Sequence, residues 1–338
     1  QLLGGSAEET QRFWLAAVAT RTALQRPDLA PALTEVLNHA PAGPNLLADL
    51  SIGELAVCYE ALLARLDEGG RRASGQFFTP DDAAGFMASR ARSFPPGKWL
   101  DPCTGVGNLA WHLAQVQENP AQFVREDLIL IDRDDVALRS AVALLGARFL
   151  GEGDTEGLER LAARAVCRDS LSEAPLPAHD FAILNPPYAR TDLDLAFETA
   201  GSRDLFAYFM ERLAKSSKGY VAVTPASYLT APRYQTLRTL LRRESLGGSV
   251  FVFDNVPDTL FRGYKFGSAN TSRTNFVRAA ITVSDPGSPE WTITPILRWQ
   301  RASRHEMFKR APSLLGRLVE GPHGEWAKLP PGFRQTWE

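Results

Sequence analysis

Apolar residues recur at intervals of three and four in the first part of the chain, a spacing typical of amphipathic helices. One such stripe runs through Phe13, Trp14, Ala17 and Val18, and a second runs from Ile52 to Leu63. Ser6 and Ser51 precede the stripes, each with a glutamate three residues on, which is the pattern of a helix capping box. The sequence therefore predicts an N-terminal helical region over residues 1–70.

A different rhythm begins near Trp99, where short apolar runs alternate with helical periodicity. This alternation is typical of repeated βαβ units around a parallel sheet. The predicted strands are 98–100, 127–131, 164–167, 180–184, 219–223, 249–253 and 276–283, and the predicted helices include 107–117, 134–149, 204–216 and 231–243. We therefore expect an α/β domain over residues 71–284, with helices on both faces of its sheet, followed by a small appendage over 285–338.

The composition is that of an ordinary globular protein, with 338 residues, of which 44% are hydrophobic and 22% are charged. No apolar run approaches the roughly 18 residues that a membrane-spanning helix needs. The 3 cysteines and 5 histidines are scattered, without the spacing of a disulfide framework or a metal site. These features predict a cytoplasmic protein that holds no metal and contacts no membrane.

The formal net charge of -2 does not by itself indicate a nucleic-acid-binding protein. Arginines are nevertheless concentrated in two segments, residues 231–243 and 298–310. Either segment can face the phosphates of a nucleic acid, and either can equally be a solvated helix face or scattered surface arginines. Both interpretations stay open at the level of the sequence.

A glycine-rich turn follows the first predicted strand and reads Asp101-Pro102-Cys103-Thr104-Gly105-Val106-Gly107. Such a turn between a strand and a helix lets a ligand approach the backbone closely. It lacks the third glycine of a dinucleotide fingerprint and the Gly-Lys-Ser/Thr of a phosphate-binding loop. The acid that precedes it, Asp101, suits a cationic ligand such as the amino group of S-adenosylmethionine. The alternative is a structural turn that caps the next helix.

Acidic residues follow the next two predicted strands. Asp132 ends the second strand, where one carboxylate can accept hydrogen bonds from both hydroxyls of a ribose. Asp134 and Asp135 open the following helix, and we interpret them as helix-capping acids. Asp169 follows the third strand and can accept a hydrogen bond from an adenine amino group, although it can equally cap a local turn.

The most specific chemistry lies in Asn185, Pro186, Pro187 and Tyr188, directly after the predicted strand 180–184. The two prolines supply no amide donors and restrict the backbone. The Asn185 side chain and the Pro186 carbonyl are therefore predicted to converge as acceptors on one amino group and to direct its lone pair at a methyl donor. Tyr188 can stack on an extruded base, because an amino group inside a duplex is out of reach.

These motifs and their order resemble the γ-class of amino-methyltransferases, which includes modification subunits of type I and related restriction systems. The segment Gly75–Pro80 reads Gly-Gln-Phe-Phe-Thr-Pro and is similar to a motif that precedes the glycine-rich turn in that family. Residues 204–209 and 219–229 are similar to later family motifs, so the resemblance covers most of the chain. It implies the Rossmann-like fold of class I S-adenosylmethionine-dependent methyltransferases.

The resemblance also implies a set of cofactor-binding residues. These are Thr79, Pro80, Asp101, Cys103, Gly105, Gly107, Asp132, Asp169 and Asn185. Thr79 and Pro80 would lie near the methionine part of S-adenosylmethionine, and Asp101, Cys103 and Gly105 near its amino acid end. Asp132 would lie at the ribose and Asp169 at the adenine.

The target base has its own expected contacts. By resemblance, Asn185, Pro186 and Tyr188 would hold the base. A second aromatic clamp is expected between residues 254 and 265, with Phe261 as the candidate and Tyr264 as its rival. Phe261 can equally be a core residue.

By this resemblance the chain is expected to be a DNA adenine-N6 methyltransferase that acts on a flipped-out adenine in a restriction-modification or phage-defence system. DNA is the expected partner, together with a specificity or nuclease subunit. The chain departs from the family after residue 285, where relatives that recognise DNA alone usually carry a sizeable target-recognition domain. The recognition of a DNA sequence is then expected to depend on a domain beyond Glu338, on a separate subunit or on the short basic tail. Residues 285–338 are an expected start of a DNA-recognition region.

Other functions share the Asn-Pro-Pro-Tyr motif. Protein glutamine methyltransferases use it on a side-chain amide, and RNA adenine and cytosine N4 are further alternative substrates, although cytosine N4 enzymes more often begin the motif with serine. A methyltransferase-like scaffold without activity belongs to a third class. The intact Asp101, Asp132 and Asn185 argue against a scaffold, and the segment Gly75–Pro80, the basic stretches and the chain after residue 219 favour DNA.

Overall fold

The computed structural model describes residues 6–66, 79–191, 196–261, 265–266, 269–270 and 277–328. The chain forms two compact units, each built from two stretches of sequence. The first unit comprises Gln1–Arg72 and Gly97–His179, and the second comprises Ala73–Pro96 and Asp180–Glu338. The functional division into residues 1–70, 71–284 and 285–338 stays a prediction.

Helices and strands alternate along most of the described chain. The α-helices are α1 (Ala7–Gln25), α2 (Ala30–Leu37), α3 (Ile52–Leu66), α4 (Asp81–Ala91), α5 (Asn108–Gln115), α6 (Pro120–Gln122), α7 (Asp135–Phe149), α8 (Thr155–Ala163), α9 (Leu205–Ser216), α10 (Gln235–Glu244) and α11 (Arg304–Arg310). The strands are β1 (Trp99–Asp101), β2 (Leu128–Asp132), β3 (Ala165–Cys167), β4 (Phe181–Leu184), β5 (Gly219–Pro225), β6 (Gly248–Phe253), β7 (Lys265–Phe266), β8 (Ala269–Asn270), β9 (Ala279–Ser284), β10 (Trp291–Leu297), β11 (Gly316–Arg317), β12 (Val319–Glu320) and β13 (Trp326–Ala327). Within the described ranges, no helix is both long enough and apolar enough to cross a membrane.

The sheet of the first unit consists of β1, β2 and β3. β2 pairs in parallel with both neighbours, with Trp99 opposite Leu128 and Leu130 opposite Ala165. The apolar residues of β2 are buried, as expected for a parallel strand covered on both faces. Asp101 and Asp132 are the last residues of β1 and β2, so both carboxylates lie at the carboxyl edge of this sheet.

The predicted N-terminal helices are confirmed, and both capping boxes are present. The hydroxyls of Ser6 and Ser51 accept the amide of the glutamate three residues on, at 3.2 and 3.1 Å. Each serine amide also donates to that glutamate's carboxylate, at 2.7 and 2.8 Å. Helix α1 packs on α7, where Trp14 Nε1 donates to Ser140 Oγ at 2.9 Å. The helical region is thereby anchored to the helix that follows β2.

In the second unit the strands lie in the order β4, β5, β9, β6, β10 and β11. β4 and β5 are parallel, β9 runs antiparallel between β5 and β6, and β10 is parallel to β6. β4 ends at Leu184 and β5 ends at Pro225. Because parallel strands end at the same edge of a sheet, the loops that follow these two strands are neighbours.

The strand pattern continues past Asp285, into the segment 285–338 that the sequence predicts to be a small appendage outside the α/β domain. β10 extends the second unit's sheet by pairing with β6, and its register shifts between Ile293 and Ile296. Pro295 lies at the shift and has no amide to donate, so the sequence gives only a weak signal for this strand. Helix α11 and strand β11 follow within the same unit.

Aromatic side chains pack between α4, β6 and α11. Phe86 lies edge-on to Phe251 with ring centroids 5.0 Å apart, and Phe308 lies 5.1 Å from Phe86. Arg304 is buried beside them and donates to the carboxylate of Asp82 and to the backbone carbonyl of Leu260. These contacts hold in place the helix that follows the predicted Thr-Pro motif.

Candidate functional site

The glycine-rich turn joins β1 to α5 in the first unit. Gly105 and Gly107 have positive φ angles of 53° and 94°, which residues with a β-carbon adopt only at a cost. A β-carbon on Gly107 would lie 3.1 Å from the β-carbon of Ala141, so this glycine lets α5 approach α7 closely. A β-carbon on Gly105 would meet no atom within 4 Å. Gly105 is therefore the position at which a ligand can approach the backbone.

Asp132 joins this turn to the end of β2. Its Oδ2 accepts a hydrogen bond from the Gly105 amide at 2.7 Å, and its Oδ1 accepts one from the Asp134 amide at 2.9 Å. Burial raises the pKa of Asp132, although both amide hydrogen bonds oppose the rise. The predicted ribose acceptor thus lies directly against the glycine-rich turn.

Asp101 is completely buried at the start of the same turn. Its Oδ1 accepts the amide of Cys103 at 3.2 Å, whereas its buried Oδ2 has no hydrogen-bond partner within the described ranges. Burial raises the pKa of Asp101 to about 8. A buried carboxyl group that lacks a cation is costly to ionise, so a ligand with an ammonium group suits this position.

Cys103 is half-buried in the turn, close to several carboxylates. Burial raises the pKa of its thiol well above the ordinary value, and Asp132, Asp101 and Asp169 add to the rise. Because the thiolate is the nucleophilic form of cysteine, this environment does not support covalent catalysis. Cys103 is suited to contact a ligand rather than to attack it.

Asp169 makes the turn-capping contact that the sequence left open as an alternative. Its side chain is exposed, and Oδ1 accepts the amide of Leu171 at 2.8 Å. The neighbouring Ser170 is buried and donates to the carbonyl of Pro102 at 2.7 Å, which links the segment after β3 to the glycine-rich turn. The sequence does not single out Ser170, whose only signal is its place beside Asp169. The adenine contact of Asp169 stays a prediction.

Asp134 caps α7, as the sequence predicts. Its Oδ1 accepts the amides of Val136 and Ala137 at 3.1 and 3.2 Å. Its Oδ2 also accepts the hydroxyl of Tyr59 at 2.8 Å, which ties α3 to the end of β2. The sequence does not single out Tyr59, because its ring belongs to the apolar stripe of α3 and its hydroxyl gives no separate signal.

In the second unit, Asn185 follows β4 directly and Thr79 precedes α4. Asn185 Nδ2 donates a hydrogen bond to Thr79 Oγ1 at 2.9 Å. Thr79 is buried, with 4% exposure, and Pro80 is the N-cap residue of α4. Because the nitrogen end of the amide points at Thr79, its carbonyl end is turned to the opposite side. Two motifs that lie far apart in the sequence therefore meet at one side chain.

Tyr188 is held at both its hydroxyl and its ring. The hydroxyl donates to the carbonyl of Val223 on β5 at 2.9 Å, and burial raises its pKa well above the ordinary value. The ring lies 6.4 Å from Phe206 and 5.7 Å from Phe261, edge-on in both cases. Phe261 is buried, with 4% exposure, which is the core packing that the sequence left open. Its role as a second clamp on the base stays a prediction.

Two more of the predicted residues lie in the same loop. Pro186 is buried and Pro187 is half-buried, directly after Asn185. The motif residues Gly75–Phe78 and the clamp rival Tyr264 lie outside the described residues.

Most arginines of the two basic segments make contacts inside the second unit. Arg238 is buried and donates to the backbone carbonyls of Tyr228, Ala231 and Gly324. Carboxylates pair with Arg233, Arg242, Arg243, Arg298 and Arg304. Arg238 and Arg304 are therefore structural residues rather than phosphate contacts or parts of a solvated face.

No protein-family profile matches the chain, and no curated protein matches its sequence. Several solved structures have similar folds. DrdV, in a cryo-EM structure of its complex with DNA, is 15% identical with a TM-score of 0.59, over 82% of this chain and 34% of that chain. A modification subunit of a putative type I restriction enzyme from Vibrio vulnificus YJ016 is 12% identical with a TM-score of 0.52, over 90% of this chain and 72% of that one.

A third similar structure is that of the ATP-dependent type ISP restriction-modification enzyme LlaBIII bound to DNA. It is 11% identical with a TM-score of 0.54, over 83% of this chain and 25% of that chain. This chain thus spans about a third of the length of DrdV and a quarter of that of LlaBIII. At such low identities the likeness shows the fold alone, and the predicted α/β fold with a mostly parallel sheet is confirmed.

Proposed function

We propose that this chain is an S-adenosylmethionine-dependent DNA adenine-N6 methyltransferase, acting on a flipped-out adenine in a restriction-modification or phage-defence system. The observation that carries the proposal is the 2.9 Å hydrogen bond from Asn185 to Thr79 at the carboxyl end of β4. It holds the Asn-Pro-Pro-Tyr loop in an orientation suited to an amine. The similar fold of a type I modification subunit supports the same class of enzyme.

The turn residues of the first unit fit S-adenosylmethionine. Asp101 offers a buried carboxylate oxygen that no described group of the chain pairs with, and an ammonium group matches it. Gly105 leaves open space beside the backbone, and Asp132 occupies the strand end at which Rossmann-like folds bind ribose. When bound, S-adenosylmethionine supplies an electrophilic methyl group on a sulfonium.

Asn185 and Pro186 are proposed to hold the target amine. Their two carbonyl oxygens accept the two N–H groups, which directs the nitrogen lone pair out of the ring plane and toward the methyl group. Bound S-adenosylmethionine would supply the methyl group that the nitrogen accepts, with S-adenosylhomocysteine as the leaving group, and Asn185 and Pro186 would hold the nitrogen for this transfer. Positive charge that develops on the nitrogen is stabilised by the two oxygens, and the nitrogen then loses one proton to solvent.

Tyr188 is proposed to stack on the extruded base. Its hydroxyl is fixed to Val223, so the ring is preorganised before any base arrives. Base–aromatic stacking contributes about 1–3 kcal/mol per base and tolerates any base, which leaves the choice of adenine to the edge contacts.

DNA and at least one further protein element are the proposed partners. DrdV and LlaBIII, whose folds are similar, were each solved with DNA. Because this chain spans only 34% of DrdV, the recognition of a DNA sequence is proposed to involve a further domain or a specificity subunit. A nuclease is proposed to act in the same system.

An Asn185→Ala variant tests the assignment. We expect the variant to fold and to keep S-adenosylmethionine binding through the turn residues of the first unit, but to transfer no methyl group. Thermal unfolding and cofactor titration provide the controls. Wild-type turnover in this variant would exclude Asn185 from the reaction.

The methylated product separates the rival substrates. N6-methyladenine in DNA supports the proposal, whereas N4-methylcytosine, methylated RNA or N5-methylglutamine each assigns the site to another substrate. Cofactor binding without transfer to any substrate, even with the native partner present, indicates a scaffold.

A further inference from the structure

A separate cavity lies in the second unit, where β5 ends. Its volume is about 470 Å³. The polar residues that line it are Ser227, Thr230, Asn255, Arg278 and Lys328. Among the described residues, no acid lines the cavity.

The wall of this cavity carries an excess of positive charge. Arg278 and Arg298 donate to opposite oxygens of the buried Asp254 carboxylate, at 2.8 and 2.5 Å. The single negative charge of Asp254 therefore pairs with two positively charged guanidinium groups. Lys328 pairs with no acid in the part of the chain that the structure describes, and its pKa is lowered by burial and by Arg278. An anion in the cavity would relieve this repulsion between cations.

We propose that this cavity binds a backbone phosphate of duplex DNA. Arg278 and Lys328 supply charge-assisted donors, and the hydroxyls of Ser227 and Thr230 supply neutral donors, which together suit the oxygens of a phosphodiester. This inference rests on the proposed function for its choice of DNA over a free anion.

The position of the cavity along β5 agrees with that assignment. Val223 holds the hydroxyl of Tyr188, and Pro225, two residues further on, lines the cavity. Two residues of a strand span about 7 Å, so the base-holding loop and the cavity are adjacent. A phosphate bound here would fix the register of the DNA strand relative to the base that Tyr188 contacts.

The test compares Lys328→Gln and Arg278→Gln with the control Arg298→Gln. Arg298 pairs with the same Asp254 carboxylate as Arg278 but does not line the cavity, so the control removes a cation without changing the cavity wall. Equilibrium binding of duplex DNA is measured by fluorescence anisotropy across a series of salt concentrations. Thermal unfolding shows that each variant is folded.

Log affinity falls as log salt concentration rises. We expect Lys328→Gln to make this slope shallower by about 0.9, the value for one lost phosphate contact. Arg278→Gln is expected to lower it similarly, and Arg298→Gln to leave it unchanged. A wild-type slope for Lys328→Gln would overturn the proposal. An equal reduction of the slope in all three variants, or the absence of DNA binding by the wild-type chain, would also overturn it.

Titration with inorganic phosphate separates the two sources of the anion. Calorimetric binding of phosphate that depends on Lys328, together with an unchanged DNA slope, would assign the cavity to a free anion and overturn the DNA assignment. Binding is measured without turnover, so a chain that shows the expected slopes but transfers no methyl group even with its native partner present refutes the proposed function and leaves this cavity as a DNA contact.

Discussion

Asn185 donates its side-chain amide to the hydroxyl of Thr79 at 2.9 Å, across 106 residues of sequence. The bond joins the loop after β4 to the start of α4 within the second unit. An asparagine amide has a donor end and an acceptor end, and a fixed partner at one end decides where the other end points. Thr79 is therefore a positioning residue for the proposed amine acceptor.

A Thr79→Val variant keeps the size of the side chain and removes the hydroxyl. We expect kcat to fall about 5-fold, because a hydrogen bond of about 1 kcal/mol no longer orients the Asn185 amide. Thr79→Ser restores the hydroxyl and is expected to restore most of the activity. Steady-state kinetics on methylatable DNA provides the measurement, and a wild-type kcat for Thr79→Val would show that the bond has no role in turnover.

Two substitutions at Tyr188 separate the contribution of its hydroxyl to stability from the contribution of its ring to methyl transfer. Tyr188→Phe loses the hydrogen bond to Val223 and is expected to unfold about 1 kcal/mol more easily while it retains most methyl transfer. Tyr188→Ala also loses the stacking surface, so we expect activity to fall about 10-fold to 100-fold further. Equal activities for the two variants would mean that the ring does not contact the base.

We predict different defects for alanine substitutions at the two glycines of the turn, one in stability and one in cofactor binding. Gly107→Ala combines a positive φ of 94° with a contact at 3.1 Å to Ala141, so we expect a loss of about 1–3 kcal/mol in stability. Gly105→Ala meets no atom within 4 Å and is expected to lose less stability but to weaken S-adenosylmethionine binding. Thermal unfolding and cofactor titration measure both effects. The assignment of Gly105 to the ligand would be wrong if its alanine variant bound the cofactor normally.

Asp101 predicts a dependence of stability on pH. Its pKa rises on folding from 3.8 to about 8, so the folded chain binds more protons at this residue than the unfolded chain between those values. The contribution of Asp101 to stability therefore falls as pH rises from about 4 to about 8.

Asp101→Asn cannot titrate and should remove this slope. We expect the Tm of the variant to rise relative to that of the wild-type chain as pH increases from about 5 to about 8. Scanning calorimetry at several pH values checks the difference. A constant difference in Tm would show that Asp101 is already ionised in the folded chain below about pH 5, contrary to a raised pKa.

Strands β2 and β4 could be predicted from the sequence because they are buried on both faces. Continuous apolar runs bounded by turns mark such strands, and β2 and β4 were both expected within one residue of their observed bounds. Strand β10 was not predicted, because Pro295 interrupts its apolar pattern.

The candidate site was predictable one motif at a time, but its internal contacts were not. Asn185 and Asp132 follow strands, so their place at a sheet edge follows from local sequence. The partner of Asn185 is set by the fold, as is the burial of Arg238, which looks like a surface arginine in sequence. Charge patterns alone therefore overestimate how many arginines are available to phosphates.

The central claim is that the chain transfers a methyl group to adenine N6 in DNA. The most direct test supplies labelled S-adenosylmethionine and genomic DNA that lacks adenine methylation, then identifies the modified nucleoside by mass spectrometry. We predict N6-methyladenine with the wild-type chain and none with Asn185→Ala. A methyl group on another nucleoside or on protein glutamine, or no transfer despite cofactor binding and added partner subunits, would contradict the claim.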